Sequence, residues 1–382
     1  MSEPAMALAS DRVLDDVRAM LPELSRGAAE VELNGSVDAR VLSALDRSGF
    51  FGLLRPVSHG GLEADPIEFF RGVRLLSRVC LATGWVASLF GAHEWHLAVF
   101  DERAQDEVRA GGPGTYLASS YTPGGQLVPV PGGYRLTGRW RTSTGIAHAS
   151  WALLGSLLLD DDGRPIDFVS ALVPATDYVV EQTWDPTGLR GVGADGLAVR
   201  DAFVPAYRTF GSTERTQQQD IASAAALAPL YRMPYATVHT HAVAAPLIGA
   251  AEGAYDALVA DRPEVAAVPA VTRALTDVHA SWLQLTRNLG TLHEHARAND
   301  PHDNGLAIRA RRDQVLAVER SVRAIGVFLD AAGEEALDRR HPLQRAWRDA
   351  QVAITNAANA VEETLSIYGR WAYGMDIADR WW

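Results

Sequence analysis

Two hydroxyl-rich segments carry the most readable chemistry in the chain. Gly138-Arg-Trp-Arg-Thr-Ser-Thr-Gly145 comes after a hairpin signal and joins an aromatic ring, three consecutive hydroxyls and a glycine. Hydroxyls and backbone N–H groups in such a segment can face a planar heteroaromatic ring. Leu117-Ala-Ser-Ser-Tyr-Thr-Pro-Gly124, upstream, has the same make-up. The plainer alternative is that both are strand ends rich in Ser and Thr. A third segment, Gly191-Val-Gly-Ala-Asp-Gly196, matches the dinucleotide fingerprint G-x-G-x-x-G. That reading needs a strand before it and a helix after it. The next residues, LAVRDAFV, form a strand pattern, so these glycines read as a turn between strands.

Histidines come in close pairs: His93 with His96, His239 with His241, His293 with His295. A metal needs a third and usually a fourth ligand, and Glu94 stands at the wrong offset for HExxH. These histidines therefore read as surface or core-edge residues, and no metal site is expected. The sequence holds neither a G-x-S-x-G elbow nor a G-x-x-x-x-G-K-[ST] loop, so nucleophilic serine catalysis and P-loop chemistry have no local support.

The elements that must position these segments change character twice along the chain. Residues 11–110 read as helices. Val13, Val17, Leu21 and Leu24 fall at helical spacing, and a second helix is expected near Asp38–Ser48. A third spans Pro66–Ala92, with Pro66 at its start, and a short one Asp101–Arg109. Residues 111–220 read as strands: Tyr116–Ser120, Tyr134–Trp140, Trp151–Leu159, Asp167–Val173, Tyr178–Trp184 and Leu197–Val204. Pro131-Gly132-Gly133 and Asp160-Asp161-Asp162-Gly163 separate β-rich runs, which suggests a small barrel or sandwich. Residues 221–382 read as four long helices, Pro234–Ala260, Val268–Ala298, Leu306–Leu337 and Pro342–Tyr368, hence a four-helix bundle. Thr216–Asp220 and Asn299–Gly305 read as loops. The expected domains are 1–110, 111–220 and 221–382.

Composition bounds the class. The 382 residues are 47% hydrophobic and 21% charged, with net charge −12. That is a globular composition, and it gives no default surface for nucleic acid. Cys80 is the one cysteine, which rules out an intrachain disulfide and a Cys-based zinc or iron–sulfur site. MSEPAMALASDRVLDD lacks a signal-peptide pattern, and the apolar stretch Ala242–Ala251 is too short to span a bilayer. A cytoplasmic protein without membrane partners is expected.

Taken in order, these segments resemble a known family. GRWRTSTG among the strands and HPLQRAWRDAQ (His341–Gln351) opening the last helix resemble the acyl-CoA dehydrogenase fold. TGWVASLFGAHEWHLAVFDERAQDEV (Thr83–Val108), YRMPYATVH (Tyr231–His239), ARRDQV (Ala310–Val315) and IYGR (Ile367–Arg370) are similar to the flavin-dependent monooxygenases of two-component systems. The likeness is to the oxygenase components of steroid-phenol and p-hydroxyphenylacetate hydroxylases, over nearly the whole chain. It implies an α+β, mostly α fold: an N-terminal helical domain, a central β-barrel or sandwich, and a C-terminal four-helix bundle.

The resemblance implies that reduced FMN or FAD arrives from a separate NAD(P)H:flavin reductase and reacts with dioxygen. The resulting C4a-hydroperoxyflavin would hydroxylate an aromatic or polyketide-like small molecule. Carried over residue by residue, Trp85 matches a tryptophan beside the flavin ring, and His93 a histidine near substrate and peroxide. Ser120, Ser143 and Thr144 match positions around the flavin, with Ser143 or Thr144 reaching N5. Arg312 and Arg348 match candidates for the flavin phosphate, within one chain or across subunits of a homo-oligomer, by resemblance a tetramer. Trp347 is expected in the bundle core. Substrate-facing candidates are His93, Tyr121, Tyr231, Met233, His239 and Asn356.

One departure matters. Where the phenol hydroxylases carry a histidine and, four residues on, an aspartate thought to deprotonate the phenol, this chain has Asn356 and Ala360. Asparagine cannot act as a general base near neutral pH. That keeps an N-oxygenase of an amine or amino sugar as a rival, with Asn356 orienting the substrate. An acyl-CoA dehydrogenase-like flavin oxidase is a second rival, but Glu362, Glu363 and Asp376 are poorly placed for its base. A third is a binding scaffold that kept the fold.

Overall fold

The computed structural model describes residues 3–211, 228–300 and 304–377. The expected loop Thr216–Asp220, with the boundary near residue 220, lies outside the described residues, as does part of Asn299–Gly305.

Five helices come first: α1 (Glu3–Asn34), α2 (Ala39–Arg47), α3 (Pro66–Val79), α4 (Leu81–Leu97) and α5 (Glu102–Arg109). The α3 helix starts where proline fixes φ, with the Asp65 carboxylate accepting from the Ile67 N–H at 2.9 Å. The single helix expected over Pro66–Ala92 is instead two, because Cys80 is extended at φ −153°. The α4 helix is apolar all round and buried along its whole length, the mark of a central helix. A side chain at Gly84 would overlap Ser77, and one at Gly91 the Phe69 ring; both glycines let α3 approach closely. Glu94 is the one carboxylate on α4. It accepts from Arg55 Nε at 3.0 Å and from Arg109 Nη1 at 3.1 Å. Burial alone would raise its pKa, but the two guanidiniums outweigh burial and lower it.

Seven strands form one sheet in the order β5-β6-β2-β1-β3-β4-β7. They are β1 (Leu117–Val130), β2 (Gly133–Trp140), β3 (Trp151–Leu159), β4 (Pro165–Pro174), β5 (Tyr178–Glu181), β6 (Gly196–Pro205) and β7 (Thr209–Gly211). Among the described pairings only β1–β3 is parallel. Its register shifts between Ser120 and Gly125, so Tyr121 and Thr122 leave the ladder at the Pro123-Gly124 turn signal. As read from sequence, a strand follows Gly191–Gly196, not a helix.

The last part is helical: α6 (Tyr235–Asp261), α7 (Pro269–Ala298), α8 (Asn304–Ala332), α9 (Pro342–Ala353) and α10 (Val361–Ala372). The expected fourth bundle helix, Pro342–Tyr368, is broken. Ile354–Ala360 forms an irregular link with a 3-10 turn at Ala357–Asn359, where the Asn356 side chain accepts from the Ala358 N–H at 2.9 Å. The α6 helix is long and apolar enough to cross a membrane by length and composition, and most of its apolar stretch is buried inside the fold. Trp347, expected in the core, is 36% exposed. Buried apolar residues form two clusters: one is shared by the helices of both ends of the chain, the other backs the sheet.

Candidate active site

A cavity of about 990 Å3 is lined by residues of α4, the irregular part of β1, the segment after β2, α6, α8 and the α9–α10 link. Ligand cavities commonly measure about 300–1,000 Å3, so this one can hold more than one ring molecule. Trp85, Leu89 and Trp184 give it apolar walls, while Ser120, Thr122, Thr142 and Thr144 bring hydroxyls to it.

The hydroxyl ledge is held by its glycine. Gly145 has φ +68°, and a Cβ there would lie 2.7 Å from the Phe90 ring of α4; only glycine combines that backbone with that approach. The Gly145 N–H donates to the Val192 carbonyl at 2.9 Å, and the Ser143 N–H to the Asp195 carbonyl at 2.9 Å. Asp195 in turn accepts from the backbone of Thr183 and Trp184 at 2.8 and 2.9 Å, which sets the Trp184 wall. The three hydroxyls then divide. Thr142 and Thr144 line the cavity. Ser143, among the least exposed polar residues, donates its Oγ–H to the Ser119 carbonyl at 3.1 Å, so its hydroxyl ties the segment to β1. Ser120 lines the cavity with its Oγ 3.3 Å from the Thr122 hydroxyl.

The histidines differ in the same way. His93 Nδ1 lies 2.6 Å from the Leu117 carbonyl. A carbonyl only accepts, so Nδ1 carries the proton and Nε2 is a bare acceptor. That Nε2 is buried without a hydrogen-bond partner. Burial pushes the His93 pKa down to about 4, which keeps the ring neutral. His93 sits behind the wall, its ring 6.3 Å from that of Tyr121. His239 lines the cavity itself, with Nδ1 unpartnered; burial first, then His93 and Arg311, push its pKa down to about 3. His241 turns away, Nδ1 donating to the Thr237 carbonyl at 2.8 Å. Around them Tyr121, Tyr235 and His96 form an aromatic cluster, with Tyr121 Oη 2.8 Å from His96 Nδ1 and the His96 and Tyr235 rings stacked at 4.0 Å.

Of the residues expected from sequence, Trp85, Ser120, Thr144, Tyr121, Tyr231, Met233, His239 and Asn356 come together on the cavity wall. Tyr231 is fixed there by donating to the Leu54 carbonyl at 3.1 Å. His93 and Ser143 lie just behind. Arg348 does not fit its expected role. Its guanidinium donates to Glu32, to Gln344 Oε1 at 2.6 Å, and to the carbonyls of Thr187 and Arg339 at 3.2 Å. All five N–H bonds are thereby engaged, so it braces α1 against α9 and keeps no donor for a phosphate. Arg312 lies outside this chain's cavity, paired with Asp313 at 2.6 Å and stacked 4.5 Å over Tyr368. The arginine that does line the cavity is its neighbour Arg311. A signal for it exists: Ile308, Arg311, Val315, Val318, Val322 and Ile325 recur at alternating spacings of three and four, so Arg311 interrupts an apolar stripe. Trp184 and Tyr235 were also missed; no local pattern marks Trp184, while Tyr235 lies inside the Tyr231–His239 segment without standing out from it.

Residues 241–360 match the acyl-CoA dehydrogenase C-terminal domain. The flavin-dependent monooxygenase oxygenase subunit HsaA of Mycobacterium tuberculosis is 38% identical over 381 residues, covering 96% of each chain. Its crystal structure superposes with a TM-score of 0.92 over 97% of this chain and 99% of that one. The oxygenase component of an FADH2-dependent resorcinol hydroxylase from a Rhizobium species is 32% identical, covering 98% of this chain and 97% of that protein. XiaF from a Streptomyces species, solved with FADH2 and glycerol, is 29% identical with a TM-score of 0.91, covering 98% of both chains. Such identity over nearly the full length, on this fold and around this cavity, places the chain in the family of oxygenase subunits of flavin-dependent monooxygenases, which work with reduced flavin delivered by a separate reductase.

Proposed function

We propose that the protein hydroxylates an aromatic or polyketide-like ring compound in the cavity beneath the Thr142–Thr144 ledge. The observation that carries this over the rivals is charge. The described residues lining the cavity include Arg232 and Arg311 but no Asp or Glu. A cationic amine would meet two guanidiniums and no counter-charge. An acyl-CoA dehydrogenase-like oxidase would lack the carboxylate that removes an α-proton, since Glu362, Glu363 and Asp376 are exposed.

The cavity suits a flavin ring: aromatic walls for its faces, and hydroxyls of Ser120, Thr142 and Thr144 for its polar edge. Bound reduced flavin would supply the two electrons that activate dioxygen, from which the oxygen atom added to the ring comes. In this reading Trp85 and Trp184 exclude water, and Thr144 donates a hydrogen bond to the flavin's polar edge. His93, neutral and just behind the wall, backs the Tyr121 side of the pocket. Tyr121, Tyr231, Met233 and His239 shape the substrate side. Asn356, half-buried at the break in the last bundle helix, orients the substrate and moves no proton. Arg312 is assigned to the flavin phosphate of a neighbouring subunit in a homotetramer, and the compartment is the cytoplasm. A native mass equal to one chain would remove that assignment.

The test supplies the protein with an unrelated flavin reductase, NADH, FMN or FAD, and matched panels of phenols and amines. Ring-hydroxylated products are expected. N-oxidised products from the amine panel, with the phenols untouched, would replace this reading with the rival.

A further inference from the structure

Arg311 lines both the main cavity and a side cavity of about 140 Å3 that also touches Glu363. Several other buried or half-buried arginines meet a carboxylate: Arg55 and Arg109 meet Glu94, Arg74 meets Glu252, Arg348 meets Glu32. Among the described residues Arg311 meets none, and its hydrogen bond goes to the Gln314 side-chain carbonyl. Gln314 Nε2 donates onward to Asn359 Oδ1 at 3.0 Å, and Asn359 Nδ2 to the Ala353 carbonyl at 3.1 Å. Gln314 and Asn359 are both buried. This relay pins the guanidinium against the α9–α10 link, beside Asn356 and Ala357.

The second cation, Arg232, points the same way. It bonds to Asn299 Oδ1 at 2.9 Å, and its buried Nε has no partner. In a chain of net charge −12, a cavity with two guanidiniums and no described carboxylate stands out. A desolvated cation without a counter-ion is costly, and a ligand anion would offset that cost.

We propose that Arg311 binds an anionic oxygen of the substrate, a ring hydroxyl held as phenolate, with Gln314 and Asn359 as its positioning residues. This rests on the aromatic-hydroxylase reading. The hydroxyl proton leaves to bulk water as the substrate binds, so no protein base is needed. The charged and titratable groups facing Arg311 are consistent with that. His239 and His241 on α6 are held neutral by burial, at about 3 and about 4. Asp313 beside it is engaged with Arg312 and Asn288. Glu363 on α10 opposes the effect but is exposed and screened.

The probe is para-nitrophenol, whose ionised form absorbs at longer wavelength, titrated with pH on the flavin-free protein. Bound probe is expected to ionise about one pH unit lower than free probe, an about tenfold preference for the phenolate. Arg311→Gln should abolish that shift, Arg311→Lys keep most of it, and Gln314→Leu reduce it, with circular dichroism confirming each fold. An unchanged or raised pKa on the wild-type protein overturns the proposal. So does the same lowering in Arg311→Gln, or no saturable binding. Should Arg311→Gln fail to fold, the wild-type titration still decides. FMN and riboflavin form a second arm: if Arg311→Gln erases a preference for FMN, the guanidinium serves the flavin phosphate and the proposal falls. The probe is read without flavin turnover or oxygen, so its failure leaves the hydroxylase reading intact. Absent hydroxylation with the shift present would instead remove that reading alone.

Discussion

The Nδ1–H of His93 donates to the Leu117 carbonyl at 2.6 Å, and that bond decides what the other nitrogen is. Nε2 must be an acceptor, and burial keeps the ring neutral by pushing its pKa down to about 4. Between about pH 6 and 8 turnover should therefore show no ionisation of His93. His93→Phe should lower kcat/KM by about tenfold or more while the fold persists. A wild-type rate profile that titrates near neutrality and flattens in His93→Phe would show that the ring charges during turnover.

Adjacent hydroxyls should separate cleanly. Thr144 lines the cavity, whereas Ser143 donates to the Ser119 carbonyl. Thr144→Val should shorten the lifetime of the oxygen-reactive flavin species by about tenfold. Ser143→Ala should instead cost about 1 kcal/mol of stability, read as a lower denaturant midpoint. The reverse pattern would exchange their roles.

Glu94 joins α4 to Arg55 and Arg109 from a buried position. Glu94→Gln leaves two half-buried guanidiniums without their counter-charge and should destabilise by about 3–5 kcal/mol. Its lowered pKa gives stability that is present above the unfolded carboxylate value and lost as pH falls through the folded one. Calorimetry of the variant checks this; a loss under about 1 kcal/mol would mean solvent compensates the pair.

His93, His239 and His241 all have pKa values lowered by burial, to about 4, 3 and 4. The unfolded chain binds protons that the folded chain refuses, so stability should fall as pH drops from about 6.5 towards 4. The slope is about 1.4 kcal/mol per pH unit for each histidine. Urea midpoints at several pH values measure it. His241→Gln, away from the cavity, should flatten the slope by one histidine's share; an unaltered slope would mean that folding does not lower the His241 pKa.

Much of this was legible because periodicity and breakers are local. The strand Trp151–Leu159 follows from an apolar run ended by the Asp160–Gly163 turn signal, and the starts of α3 and α6 from Pro66 and Pro234. The breaks were not legible, because their causes lie elsewhere in the chain. Ile354–Ala360 is rich in alanine and reads as helix, yet Asn356 caps a new turn and Asn359 bonds to Gln314 of another helix. The roles of Arg348 and Arg311 were not legible for a related reason. A guanidinium fork suits a phosphate or five protein acceptors equally, and only the fold shows Glu32, Gln344, Thr187 and Arg339 around the first and an open cavity around the second.

The most direct measurement is stopped-flow absorbance of the protein with reduced FMN, mixed with oxygen in the absence of substrate. If the Trp85–Thr144 cavity shields bound flavin, a long-lived species absorbing in the near ultraviolet will form and decay slowly to oxidised flavin. Prompt reoxidation with no such species, at protein concentrations that bind all the flavin, would contradict the assignment of this cavity to oxygen transfer.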